Sequence, residues 1–104
     1  MLAVDNGTEV AEQELFALMS ASAVPDLLRV ADEPQTVKEL SNRADVPLST
    51  AYREVKRLHE VALLEKTIAV NQAGGRHVSQ YCRTFESMEV RVTDDGLQIE
   101  LTGQ

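Results

Sequence analysis

Between Thr36 and Lys66 the apolar positions keep helical spacing twice over, and after Leu63 they change period. Val37, Leu40 and Ala44 fall at i, i+3 and i+7, one narrow apolar face of a short helix. Thr36 and Glu39 have the T-x-x-E spacing of a capping box, which predicts the start of that helix. Asp45-Val46-Pro47 ends it, because proline removes a donor and pushes the residue before it out of the helical region. A second helix follows, with Ser49 as its expected cap. Its buried face is Ala51, Val55, Leu58 and Ala62, at i, i+4, i+7 and i+11. Leu63 to Val70 then reads as a strand, Asn71 to Arg76 as a turn with two glycines, and His77 to Phe85 as a returning strand.

The flanks carry weaker patterns. Residues 1–7 read as loose, with Asp5-Asn6-Gly7 a turn signal. A helix over 8–20 is expected next, capped by Asn6 or Thr8, with Glu9 and Glu12 near its positive end. Val10, Ala11, Leu15, Phe16, Leu18 and Met19 cover more than one stripe of it, which suits a core helix or a face for a second copy of the chain. Ser20 to Val24 is a small-residue hinge, and Pro25 suits the first turn of a helix built on Leu27, Leu28, Val30 and Ala31. Asp32-Glu33-Pro34 ends that helix.

Towards the C-terminus Met88, Val90 and Val92 alternate with Glu89, Arg91 and Thr93, and Leu97, Ile99 and Leu101 return after Asp95-Gly96. A two-residue turn at Asp95-Gly96 sets Val92 opposite Ile99, Val90 opposite Leu101 and Arg91 opposite Glu100. The apolar face of this hairpin needs a cover, from the helical unit or from a second subunit. The expected fold is α+β over residues 1–104 as one domain: a winged helix-turn-helix unit (three helices plus a β wing, 24–85), an additional N-terminal helix (8–20) and a C-terminal β-hairpin (87–102).

Charge then changes the picture. The chain has a net charge of −7, a poor match to a general binder of polyanions. Its distribution is uneven. Residues 1–35 hold seven acids and one cation, residues 36–93 hold nine cations and seven acids, and residues 94–104 add three acids. The basic side chains gather in and after the helix pair. Arg outnumbers Lys seven to three, which together with the acidity fits a cytoplasm loaded with salt, and an acidic arm that deters non-specific contacts is the competing account.

Little else in the sequence carries chemistry. The apolar runs are too short to cross a bilayer and no secretory signal opens the chain, so a soluble cytoplasmic protein is expected. The single cysteine, Cys82, excludes an internal disulfide framework, and reads as a structural side chain before a redox-sensing thiol. No phosphate loop, paired-cysteine motif, H-E-x-x-H or nucleophile elbow is present. His59 and His77 are not set in a ligand cluster, and a metal site would need a dimer to complete it. Neither an enzyme nor a cofactor is expected.

The exposed side of the second helix is the candidate site. At about 100° per residue, Ser49, Arg53, Lys56, Arg57 and Glu60 lie opposite Val55 and Leu58. Tyr52 and His59 lie along one shoulder, and Thr50 stands near the N-terminus. A helix pair around a three- to four-residue turn is a helix-turn-helix, whose second helix enters a DNA groove. Arg pairs bidentately with guanine, and Ser, Thr and Lys hold phosphates. Arg76 beside the wing glycines is in reach of phosphate or a narrow minor groove, with Asn71 and Gln72 as further donors.

Residues 24–85, with the motif Thr36 to Lys66 and the wing turn Asn71 to Arg76, resemble the winged helix-turn-helix regulators of the ArsR and MarR-like superfamily. They look most like small haloarchaeal members. The resemblance implies a homodimer on double-stranded DNA, with Ser49, Thr50, Tyr52, Arg53, Lys56 and Arg57 in the major groove and Arg76 on the flank. It also implies a regulator of transcription, a repressor by promoter occupancy. Metal-sensing members carry paired cysteines near this helix, and the absence of any here departs from that pattern. Asp45 stands where such turns often hold glycine. The competing reading is a winged-helix protein-interaction subunit without specific DNA binding, its acidic ends facing the partner.

Overall fold

The computed structural model describes residues 2–3, 9–10, 12–71 and 74–103. Two very short strands, β1 (Leu2–Ala3) and β2 (Glu9–Val10), pair antiparallel. Four helices follow: α1 (Glu12–Met19), α2 (Ala23–Val30), α3 (Val37–Ala44) and α4 (Leu48–Glu60). Two antiparallel ribbons complete the chain, β3 (Leu64–Asn71) with β4 (Arg76–Arg83), and β5 (Ser87–Thr93) with β6 (Gly96–Thr102).

The first helix begins later than its apolar pattern predicts. Glu9 and Val10 are extended and paired with Ala3 and Leu2, so neither belongs to α1 and Glu9 is not at its positive end. A β-branched residue at the edge of a weak helical pattern yields readily to strand pairing. The expected caps Asn6 and Thr8 and the turn Asp5-Asn6-Gly7 lie outside the described residues.

The helix pair is built from local signals. Both halves of the capping box form: Thr36 N–H donates to Glu39 Oε1 at 2.8 Å, and Glu39 N–H to Thr36 Oγ1 at 3.1 Å. Val37, Leu40 and Ala44 are buried, as their spacing predicts. Asp45 takes a left-handed conformation (φ 56°, ψ 49°), and Val46 N–H reaches back to Ser41 O at 3.0 Å, the 6→1 bond of a Schellman ending. The buried Ser41 hydroxyl closes the same turn onto Val46 O at 2.5 Å. Three residues therefore suffice to reverse the chain into α4.

Two details of α4 differ from expectation. Its N-cap is Pro47, and Ser49 lies inside the first turn with no capping bond. Proline's fixed φ presets the entry, so no hydroxyl is needed to hold it, and the Ser49 side chain is free to face outward. The helix also stops at Glu60. Ala62 is buried but lies beyond the end at φ 65°, where Ala62 N–H donates to His59 O at 3.0 Å and Leu63 N–H to Leu58 O at 2.9 Å. That is a second Schellman ending, with Leu58 and Leu63 both fully buried as its apolar contact.

One core cluster joins the four helices to both ribbons, from Leu15 and Leu18 of α1 through Leu27, Leu40 and Leu58 to Phe85 and Ile99. Burial of each large aliphatic contributes about 1.5–3 kcal/mol. A buried Gln35 ties the helices to the first ribbon. Its backbone pairs with Tyr81 in both directions (3.1 and 2.7 Å), and its amide donates to Val30 O at 2.8 Å. Arg43 bonds Gln35 Oε1, Val30 O and Asp32, and that hydrogen bond holds the exposed Asp32 carboxyl below its usual value. A supporting helix, a helix-turn-helix and an antiparallel ribbon directly after it make a winged helix-turn-helix arrangement within an α+β fold.

The second ribbon keeps the expected face but not the expected register. Val92 pairs with Leu97, Val90 with Ile99 and Met88 with Leu101, two positions away from a turn at Asp95-Gly96. The turn residues are Asp94 and Asp95, and the positive φ falls on Gly96 (108°), which already pairs with Thr93. Either primed two-residue turn on Asp95-Gly96 would need positive φ at its first central residue, and Asp95 does not supply it. Because the slip is even, no side chain changes face. Arg91 now stands opposite Gln98 and reaches Glu100 diagonally at 2.9 Å. Helix α1 packs against β6, where Ile99 is buried, while Val92 near the turn is 81% exposed.

The left-handed turn gives a stability test. Asp45→Gly should match or exceed the parent by up to about 1 kcal/mol, whereas a β-branched Asp45→Val should lose about 1–2 kcal/mol. Urea unfolding reads both, and a valine variant as stable as the parent would contradict the assigned turn.

Candidate nucleic-acid interface

Helix α4 presents its polar side to solvent over a packed floor. Ala51, Val55 and Leu58 point inward, and Ser49, Arg53, Lys56, Arg57 and Glu60 are all exposed. Thr50 is half-buried beside them. Five of the expected contact residues, Ser49, Thr50, Arg53, Lys56 and Arg57, thus share one helix, with Tyr52 on the shoulder that turns towards β4.

That shoulder forms a cleft the sequence pattern did not reveal. Tyr52 lines it with Thr36, Val37 and Lys38 at the start of α3, and with Val78, Ser79 and Tyr81 of β4, around a volume of about 340 Å³. Lys38 and Ser79 are therefore further polar groups on the same side of the molecule as the α4 face. Next to the cleft, the His59 and Tyr81 rings meet edge to face with centroids 6.0 Å apart, which links the end of α4 to the ribbon.

Arg76 is brought to a separate place. It is the first residue of β4, exposed, and opposite Asn71 at the far end of the ribbon. Seven residue steps separate it from Arg83 at the base, about 23 Å along a strand. Gly75 beside it has φ 65°, the left-handed angle the bend needs. Gln72 and the Asn71 side chain lie outside the described residues. Ile68 and Val70 are exposed on the ribbon face they share with Ser79 and His77.

The residue most plainly missed by sequence reasoning is Glu54. It sits among the exposed cations of α4, yet it is buried, its side chain 2% exposed. Arg57 Nη1 donates to both of its oxygens, at 3.0 and 3.4 Å, and Arg53 Nε lies 3.4 Å from Oε1. The signal was present: Glu54 is three residues from Ala51 and four from Leu58, on the edge of the apolar stripe. Both arginines keep half or more of their surface, 66% for Arg53 and 51% for Arg57.

Residues 19–67 match the IclR helix-turn-helix domain family, a span from the end of α1 to the fourth residue of β3. The helix pair is of a DNA-binding kind. This likeness supports a helix-turn-helix regulator of transcription, and it covers α2, α3, α4 and the first half of β3. No curated protein and no solved structure matches the chain. No helix among the described residues is long and apolar enough to cross a membrane.

Cys82 stands apart from this surface. Burial pushes the Cys82 thiol above its usual range, and Glu65, paired opposite it on β3, adds to the rise. A raised value leaves little thiolate at neutral pH, and thiolate is the reactive form. Iodoacetamide labelling of the native protein should therefore be slow at pH 7 and accelerate only as pH rises above the usual cysteine range. Labelling at pH 7 as fast as that of an unhindered cysteine would reinstate a redox role.

Proposed function

We propose that the protein is a sequence-specific transcription regulator that binds double-stranded DNA as a homodimer, with α4 in the major groove. Ser49, Thr50, Tyr52, Arg53, Lys56 and Arg57 make the groove contacts, and Arg76 touches the flanking backbone or minor groove. The observation that carries this reading is the outward cation row Arg53, Lys56 and Arg57 on a rigid helix whose other face is fully packed. It lies inside the span that resembles a DNA-binding domain. Arg gives bidentate readout of guanine, and the lysine holds phosphate.

The chain acts by occupying a promoter, as a repressor of the ArsR and MarR-like kind. Residues 1–104 work as one winged-helix unit. Its dimer forms through α1, where Phe16 is exposed, through the apolar end of the second ribbon, or through both. The net charge of −7 suits a haloarchaeal cytoplasm, where screening removes the long-range repulsion between an acidic protein and DNA.

The double variant Arg53→Ala with Lys56→Ala tests the assignment by fluorescence anisotropy on the protein's own promoter fragment. Specific affinity should fall by about 100-fold or more, at 1–3 kcal/mol for the base contact plus one phosphate contact. Circular dichroism and the unfolding midpoint should stay close to the parent. Unchanged binding at matched salt would refute the placement of α4.

A further inference from the structure

We propose that Glu54 is a positioning residue for base readout: its buried carboxylate holds the Arg53 and Arg57 guanidinium groups in place before DNA arrives. This inference rests on the reading of α4 as the groove-entering helix. A carboxylate with a 2% exposed side chain is costly to keep charged unless it is paired, and an apolar side chain of similar size would fill the same position without that cost. Packing alone therefore does not ask for an acid there. The acid has a specific use. Among the described residues its hydrogen-bond partners are the two arginines of the face that the helix presents outward.

The geometry leaves both arginines able to bind. Arg53 engages Glu54 through Nε at 3.4 Å, so its Nη1/Nη2 edge remains a complete two-donor fork. Arg57 engages through Nη1, so its Nε/Nη2 edge remains. A guanine O6/N7 pair or a phosphate takes such a fork. A free arginine explores many rotamers, and fixing them on binding opposes affinity. Glu54 fixes them in the unbound protein. It also cancels one of the two positive charges, so attraction to any phosphate is weakened while directional contacts are kept. The first raises affinity for the matched site and the second lowers it for any duplex, so together they raise discrimination.

Glu54→Gln tests this, since it keeps the shape and removes the charge. Anisotropy is measured on the protein's promoter fragment and on a scrambled duplex of equal length, across a salt series. The specific-to-scrambled affinity ratio should fall at least ten-fold, while affinity for the scrambled duplex holds or rises. Glu54→Asp, which keeps the charge but draws the carboxylate back, should lose the same ratio. In nitrogen-edited spectra the Arg53 Nε–H signal should be slow to exchange in the parent and fast in both variants. Equal loss on both duplexes would mark a merely structural role and overturn the proposal. A rise in affinity for the promoter would make Glu54 a competitor for the arginines and overturn it too. A parent that shows no preference between the duplexes overturns the reading of α4 itself, and this inference with it.

Discussion

Gln35 is the constraint on which the arrangement of helices and ribbon depends. One buried residue pairs its backbone with Tyr81 of β4 and spends its side chain on Val30, Glu33 and Arg43. The end of α2, the last turn of α3 and the basal half of β4 are thereby fixed to a single point. A two-stranded ribbon on its own is marginal in water. This anchor, with Arg83 donating to the carbonyls of Leu28 and Arg29 at the end of α2, gives the ribbon a defined origin. Those carbonyls are the negative end of a helix, where a guanidinium is favoured. Tyr81 then carries the order on to α4 through His59. The wing's direction relative to the cation face follows from Gln35 together with Arg83 and the His59–Tyr81 contact.

Where the fold was legible in sequence, the information was local. The capping box at Thr36 and Glu39, the break at Pro47 and the apolar spacing of Val37, Leu40, Val55 and Leu58 each depend on near neighbours, and each appears as its spacing requires. The misreadings arose where two local signals competed. Asp95-Gly96 reads as a primed turn, but Asp94-Asp95 followed by a glycine at positive φ is an equally satisfied solution, and it sets the observed pairs. Gln35 gives no signal at all, because its partners lie up to 46 residues away and a lone glutamine after proline looks like loop.

The candidate site was half legible for a similar reason. Helical geometry is enough to place Arg53, Lys56 and Arg57 on one side, since periodicity fixes direction. It does not say how deep a polar residue on the edge of the stripe will sink. Glu54 lies at that edge, and its burial is decided by the elements packed against α4 and by the two arginines that cover its carboxylate. The cleft holding Tyr52, Lys38 and Ser79 needs three elements to meet and has no sequence period.

Salt decides how much of this surface matters. At low ionic strength the excess acid, lying mostly outside residues 36–93, repels a polyanion across several ångströms, and the cations of α4 attract it over the same range. As salt rises, both fields shorten, and the counterion release that drives phosphate contacts yields less. Under the proposed placement of α4, what survives is short-ranged: forks of arginine donors against base edges. On the proposal that Glu54 orients the arginine pair, that pair loses least under those conditions, because its contribution lies in direction rather than in net charge. A chain this acidic is thus physically compatible with reading DNA, provided its few outward cations are held still.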